Sequence, residues 1–441
     1  MRQVNFSYNF AKERAQALGE IHARPSALLA SPSVVFQLAF MTENNRNADI
    51  ELLSALARAQ GVPAPDAHGN HFVMNWGQGQ FRWERHTEFS TYFWDTPAAE
   101  HFGDDAPVQP FTGVLTAPGP LISGIRLEIR NEINEHILAS FDPASLCRSE
   151  VRNGRAEILT DFRQNADGLT QIAVIDRDQL SDAGRGILVQ RLLDIETYRT
   201  LAMLGLPLAQ QLSPEMRNIE EQLTAITQRM KDHARDEADD MLSSVTTLAA
   251  ELEANAASSL YRFGASRAYY DIVRERVHAL GENNISGYET IGTFLERRLA
   301  PAMRTCQSVD ERQANLSRKL ARSTSLLRSW IDVELERLNA NLLNSMDRRA
   351  QLQLRLQQTV EGLSVAAISY YVVGLVGYVL KSASSLGFHP LPPEVLTGLT
   401  VPLVVLGIWF LVRHIRNRHG CDEHLLSFEQ GRRISSSPAD K

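Results

Sequence analysis

Leu363 to Leu380 reads LSVAAISYYVVGLVGYVL, and Val395 to Val412 reads VLTGLTVPLVVLGIWFLV. Neither stretch carries a charge over its 18 positions. At 1.5 Å per residue each extends roughly 27 Å as a helix, near the hydrocarbon thickness of a bilayer. A pair of buried core helices would read similarly, but a soluble core rarely supplies two such runs in succession, each flanked by charge. The two runs therefore predict a C-terminal transmembrane hairpin over 363–412.

The flanks set its orientation. Arg348, Arg349 and Arg355 precede the first span, and Arg413, Arg416 and Arg418 follow the second. The connecting loop holds only Lys381, against Glu394. The excess of arginine on the outer flanks predicts both termini in the cytoplasm and the loop outside. The arginines after the second span also suit anionic lipid headgroups, and topology alone explains them equally well. Gly374, Gly377, Ala366 and Ala367 are small residues of the kind that let membrane helices approach closely. Pro402 removes one backbone donor from the second span.

Upstream, the apolar residues change period. Met216, Ile219, Leu223, Ile226 and Met230 alternate steps of three and four, a heptad row. Met241, Val245, Leu248 and Leu252 form a second row, offset as by a stutter. Ile331, Leu335, Leu338, Leu342, Leu352, Leu356 and Leu363 form a third, with Ser345, Arg349 and Thr359 in its remaining core slots. Ser213-Pro214-Glu215 reads as a helix start, and the third row's helix is expected to run from about Val309 into the first span. Between the rows, Tyr261–Glu282 and Gly287–Cys306 read as two further amphipathic helices. The rows can close within one chain or between chains, and self-association through this stalk is the expectation.

Residues 1–200 alternate with period two instead. Strands are predicted at 71–76, 80–86, 88–94, 122–130, 156–162 and 170–176, and helices at 47–60 and 182–204. Asn153-Gly154 and Asp167-Gly168 are turn signals. The fold class is an α+β N-terminal domain with a largely antiparallel sheet, a long helical coiled-coil stalk over 201–362, the transmembrane hairpin, and a tail over 413–441 that is basic and then disordered.

The net charge of −7 excludes a dedicated basic nucleic-acid binder. Three scattered cysteines read as free thiols of a reducing compartment. There is no glycine-rich phosphate loop, no nucleophile elbow and no triad-like arrangement, so no cofactor and no enzyme class is implied. Two clusters are candidate ligand or interface sites. His22 and Arg24 lie close together with Glu20. Arg82, Glu84, His86 and Glu88 share one strand face if the strand is unbroken, with Phe81, Trp83 and Phe89 on the core face. Each cluster reads equally as a structural hydrogen-bond or ion-pair set. His68, His71 and His86 lack metal spacing, and His419, Cys421 and His424 are not forced together, so no metal site is expected.

EIHARP, FRWERHTEFSTYFW, LLDIETYRTLAMLGLPLA, YRFGASRAYYDIVRERV, LERRLAPAMRTC and SMDRRAQLQLRLQQTVEGLSVAAISYYVVGLVGY together resemble a bacterial family of membrane-anchored proteins of unknown function, domain of unknown function 3422. The resemblance covers almost the whole chain. It implies a bacterial inner-membrane location and no activity. The layout also resembles the CorA-type magnesium channels, but Lys381-Ser382-Ala383 stands where those carry Gly-Met-Asn. Three function classes follow: a membrane-anchored scaffold or sensor with an unknown cytoplasmic partner, a CorA-like cation channel, and an enzyme built on His22, Arg24, His86 and Glu88.

Overall fold

The computed structural model describes residues 11, 14, 26–42, 45–104, 117–177, 180–233, 237–385, 394–395 and 397–414. By contacts the chain divides into two compact units between Ser329 and Trp330.

The first unit is built on one mixed nine-stranded sheet. Its strands are β1 (Ser33–Met41), β2 (His71–Trp76), β3 (Gly79–Arg85), β4 (Phe89–Pro97), β5 (Leu121–Arg130), β6 (Cys147–Val151), β7 (Ala156–Thr160), β8 (Thr170–Asp176) and β9 (Asn283–Asn284). The spatial order is β2-β3-β4-β1-β5-β8-β7-β6-β9. Neighbours pair antiparallel except β5 and β8, which are parallel, so the sheet is mixed. The hairpin β6–β7 turns through Arg152, Asn153 and Gly154, all at positive φ, as the Asn-Gly signal demands.

Alternation along the strands sends one set of side chains to each face. On one face Phe36, Phe81, Trp83, Tyr92 and Trp94 pack against Leu52, Leu53 and Leu56 of helix α1 (Arg46–Ala59). Farther along that face, Leu159, Ala173 and Ile175 meet Ile137 of the short helix α2 (Glu135–Ala139). On the other face Val35, Ile125, Leu127, Ile172 and Val174 meet Leu188, Val189, Leu192 and Ile195 of α3 (Asp182–Met203). Ser181 caps α3 by accepting from Gly184 N–H at 3.1 Å.

Three long helices follow: α4 (Gly205–His233), α5 (Ala238–Leu280) and α6 (Ile291–Ser385). The first two heptad rows are buried, from Met216 to Met230 on α4 and from Met241 to Leu252 on α5. So are Leu316, Leu320 and Leu327 of α6. Arg312 pairs with Glu220, and Ser317 donates to Glu253 at 2.9 Å, tying α6 to both neighbours. These rows therefore close within the chain, and the alternative of pairing them between chains is not needed.

Three local expectations are corrected. Ser213-Pro214 does not start a helix: α4 begins at Gly205 and carries Pro214 inside it. The proline is tolerated because its ring and Gln210, whose carbonyl loses a donor, both face solvent, while Leu212 and Met216 stay buried. The stretch 261–280 is the continuation of α5. The stretch from Ile291 is already α6, which contains Pro301 and needs no new start near Val309.

In the second unit α6 continues to Ser385, and α7 (Thr397–His414) follows. Both contain windows long and apolar enough to cross a membrane, and almost nothing in those windows is buried. A Cβ at Gly377 would stand 3.3 Å from Thr397 Cγ2, so glycine permits the close approach of the two helices there.

Truncating Leu248 or Leu316 to alanine is expected to destabilise the first unit by about 3 kcal/mol. Chemical denaturation of the full chain reads this as a lower midpoint.

Candidate functional site

The sequence-predicted cluster sits on the β3–β4 hairpin. Phe81 and Trp83 point into the α1 face, which leaves Arg82 and Glu84 on the α3 face. The strand then ends at Arg85, and His86-Thr87-Glu88 form the connection, closed by His86 N–H donating to Phe89 O at 2.8 Å. Beyond this turn the register returns Phe89, Thr91 and Phe93 to the same side as Glu84 and Arg82. Phe89 was expected beside Phe81 and Trp83. It lies instead with Ala39 and Leu201 on the opposite face, because the turn interrupts the alternation.

The four polar residues therefore separate. Glu84 and His86 line a polar cavity of about 220 Å³ between the sheet, α3 and α5. His86 stacks on Phe89 at 4.2 Å between centroids and meets Tyr198 edge-on. Arg82 lies over the Phe93 ring, accepts no place in the cavity wall, and bonds Gln80 at 2.9 Å. Glu88 turns away and is 2% exposed. Its carboxylate accepts from Arg262 at 2.7 Å and from the Tyr269 hydroxyl at 2.5 Å, both on α5. Burial and the Glu88 charge hold the Tyr269 phenol well above its ordinary range. His22 and Arg24, like His419, Cys421 and His424, lie outside the described residues.

The rest of the cavity wall was not legible in the sequence. Gln37 of β1 donates to Thr197 of α3 at 3.0 Å. Asp194 of α3 accepts from Gln190 at 2.9 Å and from Arg276 of α5 at 2.8 Å. No spacing rule joins residues 37, 84, 194 and 276. Chemically the cavity offers two carboxylates, an imidazole, a guanidinium and hydroxyls at hydrogen-bonding range of a small guest, with aromatic sides from Phe89 and Tyr198. Among the described residues no cluster of histidine, cysteine or acid could hold a metal ion.

Elsewhere, buried acids are held by arginine. Glu128 is paired with Arg126 and Arg130, Glu157 with Arg148 and Arg177, Glu196 with Arg199, and Asp176 with Arg185. Such pairs are fixed structural elements, since each buried charge is matched by its partner. Cys147 is fully buried, and burial together with nearby Glu289 and Glu282 pushes its thiol up to about 12. Raising a thiol's pKa favours the neutral form and makes a poor nucleophile.

Residues 10–419 match the family described as "Protein of unknown function (DUF3422)", and the chain belongs to that family. None of the curated proteins compared matches the chain. The layout resemblance to CorA-type channels gains no support from these matches.

Two outcomes are expected. Arg262→Ala leaves the Glu88 carboxylate buried without its cation and lowers the stability of the first unit by about 3 kcal/mol, more than Tyr269→Phe does. Iodoacetamide at pH 8 leaves the Cys147 peptide unlabelled in the folded chain and labels it in urea, by mass spectrometry. Because the folded thiol is raised, its contribution to stability is complete below the ordinary thiol range of about 8.5 and is lost as pH climbs through about 12.

Proposed function

We propose that this protein is a membrane-anchored scaffold or sensor of the bacterial inner membrane, with both termini in the cytoplasm, whose copies associate through α6. One observation carries the reading. Leu335, Leu338, Leu342, Leu352 and Leu356 are each more than half exposed on one heptad row. A row of this kind over Ile331–Leu363 is roughly 48 Å of helix with an uncovered apolar stripe. Such a stripe is stable in water only against another apolar surface.

The occupant is a second copy of the same row. Anchoring by the following span makes the pairing parallel. In a parallel dimer the flanking positions then place Glu334 opposite Asn339, Arg348 opposite Gln353 and Arg355 opposite Val360, so no like charges face at these flanks, while Arg349 in a core slot faces its own copy. Ser345, Arg349 and Thr359 in the core slots weaken the seam and fix its register. The membrane location rests on the two apolar helices, and the orientation on Arg348, Arg349, Arg355 and Arg413 at their outer flanks. In the sensor form of the reading, the polar cavity at Glu84 and His86 takes the signal.

In lipid nanodiscs the full chain is expected to run as an oligomer by mass photometry. Leu342→Ser with Leu352→Ser and Leu356→Ser is expected to give monomers with an unchanged circular-dichroism melt of the first unit. A wild-type monomer over the micromolar range would remove the self-association reading. Trypsin added to intact spheroplasts is expected to spare the N-terminal unit, and cleavage there would reverse the orientation.

A further inference from the structure

The helices α5 and α6 run antiparallel on either side of their connection, and along 263–274 and 300–307 they do not close. A groove of about 330 Å³ opens between them within the first unit. Its base is apolar: Phe263 and Cys306 belong to a buried cluster with Ala209 and Leu212 of α4, and Met303 packs against it. Its rim is basic. Arg267, Arg274 and Arg304 line the opening with a single acid, Asp271, so three positive charges face one negative, a net of +2.

Among the described residues, two of these arginines have no acidic partner. Arg267 is paired with Asp310 at 3.1 Å. Arg274 lies over the Tyr270 ring at 5.9 Å, and among the described residues Arg304 makes no hydrogen bond or ion pair. Both guanidiniums border the groove beside Tyr270, whose hydroxyl donates to Glu296 at 3.2 Å. Ser266, on the groove wall, is fully buried, and among the described residues its hydroxyl has no hydrogen-bond partner. Helix pairs ordinarily fill such a gap with side chains to crystal-like density. Here the gap is kept open over an apolar base, beside an unsatisfied hydroxyl and beneath two arginines, Arg274 and Arg304, that make no ion pair among the described residues, with the Glu296 carboxylate held at the Tyr270 hydroxyl. A wet surface face would supply the arginines but not the open apolar base.

We propose that the α5–α6 groove binds a small amphiphilic anion, an apolar ring or short chain bearing a phosphate or carboxylate. The apolar part rests on Phe263 and Met303, and the anionic group lies between Arg274 and Arg304. Guanidinium suits this task because it is always charged and presents planar donor pairs to phosphate or carboxylate oxygens. The Ser266 hydroxyl, after a turn about χ1, donates to an acceptor at the base. The groove lies apart from the polar cavity at Glu84, and its occupancy does not depend on self-association.

The test is calorimetric titration of the full chain in phosphatidylcholine nanodiscs with phenyl phosphate, inorganic phosphate and benzyltrimethylammonium. Phenyl phosphate is expected to bind one per chain, at least tenfold tighter than inorganic phosphate, with no heat from the cation. Arg304→Glu and Arg274→Glu, both exposed substitutions, are each expected to weaken binding at least tenfold with an unchanged melting temperature. Ser266→Ala is expected to weaken binding severalfold while the unliganded chain melts no lower. The proposal is overturned by no binding of phenyl phosphate, by equal binding of inorganic phosphate or of the cation, or by binding that survives both arginine substitutions.

Discussion

Every apolar residue along α6 needs a cover, and the cover changes with position. Up to Leu327 it is supplied within the same chain, first by the sheet and α3 around Phe294 and Leu295, then by α4 and α5, whose own heptad rows are buried in return. From Leu335 to Leu356 the described chain supplies none. Beyond Leu363 the side chains suit hydrocarbon. A single 95-residue helix thus carries a covered stretch, an uncovered stretch and a window apolar enough to cross a membrane. The hydrophobic effect, acting on one stripe, sets where the first unit ends and, in the proposed reading, where copies associate and the bilayer begins.

Within the first unit the sheet is clamped from both sides, and its polar interior follows one rule. Carboxylates that face the interior meet an arginine or a hydroxyl. Asp49 shows the pattern on the α1 face, accepting from Ser90 at 2.8 Å and from Tyr92 at 2.5 Å. Glu88 shows it between sheet and α5. The cavity at Glu84 and His86 departs from the pattern in being open.

What was legible in the sequence depended on whether a signal was local. The β3–β4 hairpin, β5, β8 and α3 follow from alternation and caps, and their bounds fall within a few residues of expectation. Strand β1, SVVFQLAFM, lies in the middle of the sheet and is buried on both faces, with apolar residues on each, so it lacks the alternation that reveals a half-buried strand. The helix start at Ser213-Pro214 misled because solvent on the proline side removes its usual penalty. The cavity escaped for another reason. Its wall comes from β1, β3, β4, α3 and α5, and of its ionisable residues Glu84 and His86 stand together in sequence, far from Asp194 and Arg276. Likewise the α5–α6 groove draws on two stretches that read separately as amphipathic helices, and its openness is a property of their packing.

The two-residue strand β9 joins Ser149 and Glu150 of β6, and Cys147 bridges to Glu289 beside it. It is too short to add much burial, yet it occupies the hydrogen-bonding rim of β6. A β-rim left bare is a template for pairing with foreign strands, the route by which sheet proteins aggregate. The helical hairpin thus acts as a built-in guard for one margin of the sheet. A gene fragment ending at α3 would lose that guard, and a newly made chain must reach the α5–α6 connection before this margin is shielded from its neighbours on the ribosome.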